Sequence, residues 1–374
     1  MDKRVILAVA GAGKTYHICH TIDTKKKNLI LAYTHENIHN IKRELLTSDG
    51  QVPELTSVMT FDAFVYRCLV CPYEPTIAEC FGRNDFRSKG ITTVEPPEKG
   101  TKKKGQFIPN HKYINKEQIE HYTTKNNQYY CSRLSELIMY VGKRNTKFLI
   151  RATLRLNKFY DQILIDEFQD FREHDYELII SLSNLLNSVV LVGDYYQHSV
   201  SAINNSGKPF VKKHKEITYT DFVKELRKLK FNVDDMTLRK SRRCSKEICN
   251  FIAEKLGISI ESADVNQGIV KWVTGDEIKT ILQNPSVVKL VFNGSKQYSF
   301  EAINWSYSKG DTVDTACVVL TDKFEKLNTN EFSTQGIHTS TINKLYVALT
   351  RSKGDLFLIR ASDFKKYKKD YMIR

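Results

Sequence analysis

Two short stretches of this chain carry side chains whose types and spacing suit chemistry on a phosphate anhydride. In Ile163-Leu164-Ile165-Asp166-Glu167-Phe168-Gln169-Asp170 an apolar run breaks into adjacent carboxylates. In Ala10-Gly11-Ala12-Gly13-Lys14-Thr15-Tyr16 a glycine-rich bend leads into a lysine, a hydroxyl and the start of a helix. Such a bend aims backbone N–H groups at a phosphate, and a helix amino end favours an anion. Lys14 is expected to reach the β- and γ-phosphates, and the Thr15 hydroxyl to bind magnesium. One of the adjacent acids Asp166 and Glu167 can hold the same ion while its neighbour polarises water. The implied chemistry is hydrolysis of a nucleoside triphosphate. Ala8 stands where the usual phosphate-loop pattern opens on glycine, but strand, Gly-Lys-Thr and helix follow in the required order.

The elements that must position these residues alternate in type. Val5 to Val9 reads as a strand, Asn28 to Thr34 as a second, Glu36 to Leu46 as a helix, and Ser57 to Thr60 as a third strand entering a helix that runs to about Val70. The pattern is lost between about 72 and 155, where Pro96-Pro97 and Lys102-Lys103-Lys104 fall and residues 81–160 hold 17 Lys and Arg against 6 Asp and Glu. That imbalance marks an inserted basic subdomain. Alternation resumes with Ile163 to Ile165, a helix around Tyr176 to Leu186 and the strand Ser188 to Val192. Beyond a charged connection lie a helix from Ser245 to Leu256, strands near 269–273, 287–292 and 315–320, a helix near 340–350 and the strand Leu356 to Ile359. The expected fold is α/β, with two P-loop-type lobes built on parallel sheets. Residues 1–71 and 156–197 form the first, 72–155 the basic insertion and 198–374 the second.

Composition narrows the partners. Over 374 residues the formal net charge is +14, which favours a polyanion. No apolar run approaches the ~20 residues of a membrane span, and the strand beginning at Val5 leaves no room for a removable signal peptide, so a cytoplasmic protein without membrane partners is expected. The eight cysteines are then reduced thiols. Cys68 and Cys71 have ligand-pair spacing, with Cys80 and Cys131 further on, a set able in principle to hold zinc or an iron–sulfur cluster; the wide remaining gaps match no tight metal pattern and leave the question open.

With DEFQD at 166–170, Gly193-Asp194-Tyr195-Tyr196-Gln197 and Leu345-Tyr346-Val347-Ala348-Leu349-Thr350-Arg351 in the same order, the chain resembles superfamily 1 helicases of the UvrD/Rep/PcrA type over nearly its whole length. The resemblance implies two RecA-like lobes that close on ATP and Mg2+ and move along single-stranded or partly duplex DNA. By position it implies that Lys14, Thr15 and Asp166 bind phosphate and magnesium and that Glu167 orients water. Ala10 to Tyr16 would form the nucleotide loop. Gln197 would sense the γ-phosphate, and Arg243 and Arg351 would stabilise its charge, an effect able to contribute ~10³ to 10⁵ in rate. Thr34 and His35 match the first DNA-backbone motif. Thr60-Phe61-Asp62-Ala63-Phe64 resembles Thr-Phe-His-Ser-Phe, which offers Thr60 and Phe64 to DNA; an aromatic stacked on a base is worth about 1 to 3 kcal/mol. At three-residue spacing, Phe61 and Phe64 equally suit a core. Lys102, Lys103 and Lys104 suit either phosphate contact or a solvated loop.

The chain departs from the family at several points. Few residues precede the phosphate loop, so the family's upstream adenine-reading glutamine motif has no counterpart and base choice is open. Arg242 takes the place of the tyrosine that stacks on adenine, a role a guanidinium plane can also fill. Val200 and Ala202 stand where the family grips bases with aromatics. Ser308 to Asp314, with Gly310, is partly similar to the RecD/Pif1 branch, which moves with opposite polarity, and the large second-lobe insertion is missing. These departures sustain an alternative of another class: an NTP-sensing, DNA-binding regulatory subunit beside a nuclease or other protein in a phage-defence or recombination assembly.

Overall fold

The computed structural model describes residues 2–46, 50–103, 106–198, 208–212 and 215–373. It is mixed α/β and contains two sizeable parallel sheets. The larger has six strands in the order Asn232–Asp234, Asp2–Leu7, Ser188–Gly193, Gln162–Ile165, Asn28–Ala32, Thr56–Thr60. Its central strands are apolar runs: Leu29 to Leu31 are fully buried, as are Ile163, Ile165, Val189 and Leu191 or nearly so. Burial on both faces is what a parallel sheet covered by helices requires. Even the polar Asn28 is buried, its Nδ2 donating to the carbonyls of Asp23 and Lys26 at 2.9 Å each.

Register decides what stands at the carboxyl edge of this sheet. Leu31 pairs with both Met59 and Ile165, and Ala32 with Thr60. Asp166 N–H still donates to Leu31 O at 2.9 Å. Tyr33, Thr34, Thr60 and Asp166 therefore emerge side by side where open α/β sheets bind ligands.

The second sheet has five parallel strands in the order Val270–Trp272, Leu356–Ile359, Ala316–Val319, Val288–Val291, Ala302–Asn304. Val273, Ile278, Leu282, Cys317, Ile359 and Phe364 belong to the apolar core packed beside it. Both sheets agree with the α/β class expected from the alternating patterns.

Three elements differ from expectation. The helix expected over 176–186 spans Glu173–Ser183, because Arg172 caps it: its N–H and Nε both meet Asp175 Oδ2, at 3.2 and 2.7 Å. The segment read as irregular and basic carries the helices Leu134–Arg144 and Thr146–Phe159, which bury Leu137, Ile138, Val141, Phe148, Ala152 and Leu156. The helix from Phe61 is α-helical only to Phe64 and continues as a π-helix, Val65–Val70.

The chain groups into two compact units. One comprises Met1–Val5, Thr15–Val192 and Ser201–Asn232, the other Ile6–Lys14, Gly193–Val200 and Val233–Arg374. Among the described residues no helix is long and apolar enough to cross a membrane.

Candidate nucleotide site

In the first unit the hydroxyl at the head of the Lys14–Thr21 helix meets the acid at the end of the Gln162–Ile165 strand: Thr15 Oγ1 donates to Asp166 Oδ2 at 2.8 Å. Asp166 is buried, and its Oδ1 accepts the Glu167 N–H at 2.9 Å. This bond turns the chain sharply, and Glu167 adopts left-handed dihedrals, φ 54° and ψ 40°. A non-glycine residue held there stores strain of the kind found where a side chain must be aimed. The Glu167 carboxylate accepts a hydrogen bond from Gln169 Nε2. Burial, with Asp166 and Glu44 adding to it, pushes the nearby Cys19 thiol up to about 12. Paired oxygen donors from a hydroxyl and a carboxylate fit magnesium, a hard cation that keeps waters and substrate phosphate as its other ligands.

Ala10 to Lys14 of the phosphate loop and the residues packed around them belong to the second unit. Gly11 and Gly13 take φ +72° and +83°, and Gly11 has a second reason to lack a side chain. A Cβ there would lie 2.5 Å from Arg243 Cβ and 2.8 Å from Ser241 Oγ. The Gly11 carbonyl accepts the Arg242 N–H at 2.9 Å, so this turn and residues 241–243 are docked backbone to backbone. Asn266 Nδ2 donates to the carbonyls of Arg242 and Arg243 at 2.8 and 3.0 Å, which fixes the turn from its other side. Arg242 is exposed and Arg243 half-buried, and Arg243 Nη1 donates to Thr350 O at 3.2 Å.

Ala10 is fully buried and its N–H donates to Tyr346 Oη at 2.8 Å; Tyr346 in turn donates to Asp194 Oδ2 at 3.3 Å. Burial, reinforced by the Asp194 carboxylate, holds the Tyr346 phenol far above its ordinary range, so it stays neutral and keeps its proton for that bond. Asp194 Oδ1 accepts the Tyr196 N–H at 2.9 Å, and the Gln197 N–H donates to Asp194 O at 3.0 Å, forming the turn that carries the buried Gln197. Neither Tyr346 nor Asp194 was a sequence candidate. Both lie inside the recognised motifs, but their partners are far away in the chain.

Arg351 is 1 % exposed. Its Nε donates to Val347 O at 2.7 Å, Nη1 to Ser308 O at 3.0 Å and Asp311 O at 3.2 Å, and Nη2 to Thr350 Oγ1 at 3.1 Å. It thereby anchors the bend that contains Gly310, which has φ +95° and open space about it. Burial, with Arg243 adding to it, lowers the Arg351 guanidinium to about 10. Ala12 is buried in the loop; Lys14 is half-buried; the exposed Tyr16 ring stacks on His20 at 3.8 Å.

The nucleic-acid candidates divide. Thr34 and His35 are exposed, and Thr34 Oγ1 caps the His35–Glu44 helix by accepting Asn37 N–H at 3.1 Å. Thr60 Oγ1 accepts Ala63 N–H at 3.2 Å. Phe64 is fully buried and Phe61 nearly so, with Phe61 packed on Phe171 at 4.6 Å between ring centres. The base stacking expected of Phe64 is not open to a side chain in that position; apolar packing claimed it. Lys102 and Lys103 lie on the strand Gly100–Lys103, whereas Lys104, Val200 and Ala202 lie outside the described residues. Among the described residues no group of three or more His, Cys, Asp or Glu is arranged to hold a metal. Cys71 is exposed, Cys68 and Cys80 are intermediate and Cys131 is buried.

Residues 2–202 match the AAA_19 family, described as an AAA domain. The chain belongs to the AAA domain family. The AAA domain match takes in the phosphate loop, Asp166, Glu167 and Gln197 and ends before Arg242, Arg243, Gly310 and Arg351. No curated protein matches the chain. Among solved structures it is similar to the PRRSV helicase (14% identity, 99% of this chain and 54% of that one, TM-score 0.43). It is also similar to arterivirus nonstructural protein 10, a helicase, alone (11% identity, 95% and 59%, TM-score 0.44) and in complex with DNA (13% identity, 95% and 60%, TM-score 0.42). The chain thus spans 54% to 60% of the length of these proteins.

Proposed function

We propose that this AAA domain chain is an ATP-hydrolysing motor of the superfamily 1 helicase type, which couples hydrolysis to movement along single-stranded DNA or to its unwinding. The observation that supports it most is the 2.8 Å bond between Thr15 Oγ1 and Asp166 Oδ2. It brings a phosphate-loop hydroxyl and a strand-end carboxylate together at one point. Magnesium would be held by these two groups and would supply charge neutralisation at the β- and γ-phosphates.

Every other part of the reaction falls to the chain's own groups. Lys14 binds the β- and γ-phosphates as a point charge, and the N–H groups of Gly11 to Thr15 surround them. Glu167, aimed by its left-handed backbone, orients the attacking water. Gln197 senses the γ-phosphate from the Asp194 turn. Arg243 stabilises the charge spread over the transferred group. Arg351 can join it only by exchanging one of the four bonds that now hold its guanidinium. The exposed Arg242 offers a stacking plane for a base. Thr34, His35 and Thr60 meet the sugar-phosphate backbone, and Lys102 and Lys103 add electrostatic attraction.

A second reading, an NTP-sensing DNA-binding subunit beside a nuclease or other partner, is favoured by the burial of Arg351, since a partner could be what frees it. A translocation assay on single strands blocked at one end or the other separates the two readings. The motor displaces the block from one end only and needs ATP; ATP turnover with no displacement at either end would favour the regulatory subunit.

A further inference from the structure

Beside the candidate nucleotide acids, in the first unit, one guanidinium is shared by two carboxylates from different elements. Arg172 Nη2 meets Asp62 Oδ1 at 2.7 Å and Arg172 Nε meets Asp175 Oδ2 at 2.7 Å. The three side chains are largely withdrawn from solvent, at 18 % exposed for Arg172, 27 % for Asp62 and 2 % for Asp175. The guanidinium also lies 5.5 Å from the centre of the Tyr33 ring, and Tyr33 Oη donates to Asp175 Oδ2 at 3.5 Å. Burial opposes the Arg172 charge, but Asp175, Tyr33 and Asp62 together hold it well above its ordinary range, so the cation is permanent. Burial, with Asp175 as a like charge, raises Asp62 despite its arginine partner.

Three members of this cluster adjoin working parts. Asp62 is in the first turn of the Phe61–Phe64 helix, two residues from Thr60. Tyr33 immediately precedes Thr34 and His35. Arg172 ends the short segment that starts at Asp166 and Glu167 and passes through the Phe168–Asp170 turn. Phe171, next to Arg172, packs on Phe61 at 4.6 Å. A surface ion pair would be worth little, but a withdrawn, bidentate guanidinium with two competing anions has two ways to distribute its bonds, and its fork geometry makes each distribution specific.

We propose that Arg172 is a positioning residue that couples nucleic-acid contact at Thr34, His35 and Thr60 to the setting of Glu167. The coupling rests on the proposed function, because it presumes that those residues touch a strand. A phosphodiester docking at the Thr34 and Thr60 turns shifts Tyr33 or Asp62, alters the division of Arg172 between Asp62 and Asp175, and moves the segment 166–172 that carries the water-orienting carboxylate. Hydrolysis is thereby made responsive to the strand.

The test measures phosphate release by the full chain with and without oligo(dT), for the wild type, Asp62→Asn and Arg172→Lys, with strand affinity measured separately by fluorescence anisotropy. The expected result is a basal rate close to wild type, unchanged strand affinity, and stimulation reduced about two- to thirtyfold, the range over which single mutations modulate coupling between sites. Variants stimulated as strongly as wild type would overturn the coupling, as would basal and stimulated rates that fall in parallel. A wild type that oligo(dT) does not stimulate would overturn the proposed function, and the coupling with it. Should the variants not fold, hydrogen exchange on the wild type decides: oligo(dT) is expected to change protection at 60–64 and at 166–172 together, and a change confined to 60–64 contradicts the proposal.

Discussion

Tyr346 illustrates how much one polar atom can hold. Its hydroxyl accepts the buried Ala10 N–H and donates to the buried Asp194, so Tyr346→Phe takes the acceptor from a buried N–H and one bond from Asp194. Leaving a buried donor unsatisfied costs about 1 to 3 kcal/mol. The expected outcome is a clear fall in melting temperature and a weakened grip on nucleotide, checked by thermal unfolding with and without a non-hydrolysable ATP analogue. At Thr15 the prediction is chemical: Thr15→Ala removes the hydroxyl beside Asp166 and abolishes magnesium-dependent nucleotide binding, while Thr15→Ser retains it, as titration calorimetry would show. A third residue gives a pH signature. Burial, with Asp62 adding to it, raises the Cys131 thiol from 9.0 to about 11. Because the folded state holds this proton more tightly than the unfolded one, its contribution is intact below pH 9 and is lost as pH climbs through 11. Melting temperatures of Cys131→Ala should fall less steeply than those of wild type across that window.

At the scale of elements, the turn at Gly11 is the sharpest point of assembly. Gly11→Ala would set a methyl 2.5 Å from Arg243 Cβ while forcing a side chain into φ +72°; strain of this kind costs about 1 to 3 kcal/mol. Gly257→Ala is the matched control, with a similar φ of +67° and open space, and it should lose only the roughly 1 to 2 kcal/mol of a left-handed backbone, less than Gly11→Ala, which adds the clash. Thermal unfolding of both variants checks the difference. Elements were legible where one physical signal dominated. Val5 to Val9, Leu29 to Ala32 and Ile163 to Ile165 are uninterrupted apolar runs, and parallel strands buried on both faces can hardly read otherwise. The Thr146–Phe159 helix is hidden because its buried residues are interleaved with Lys and Arg, and the Leu134–Arg144 helix because the bulk charge of the surrounding segment masks its apolar run. Phe64 was ambiguous because spacing alone cannot distinguish a ring facing a core from one facing a base. The loop, the acid pair and the arginines stood out as motifs, whereas the bonds of Tyr346, Arg172 and Arg351 depend on partners that have no local signature.

For the whole molecule, charge and chemistry make separable claims. A net charge of +14 predicts strand binding dominated by counterion release. A fourfold rise in salt should weaken oligo(dT) binding about twenty- to 130-fold, the range for about three to five neutralised phosphates on a single strand; anisotropy titrations at two salt concentrations read it directly, and an affinity indifferent to salt would remove the polyanion from the account. The central claim is that Glu167, turned out beside the Thr15–Asp166 pair, directs hydrolysis of ATP. Its most direct test is phosphate release by the purified chain, wild type against Glu167→Gln, with magnesium and oligo(dT) present. The account predicts steady turnover by the wild type and loss of nearly all of it in Glu167→Gln, with ATP still bound; a Glu167→Gln chain that releases phosphate as fast as wild type would contradict it.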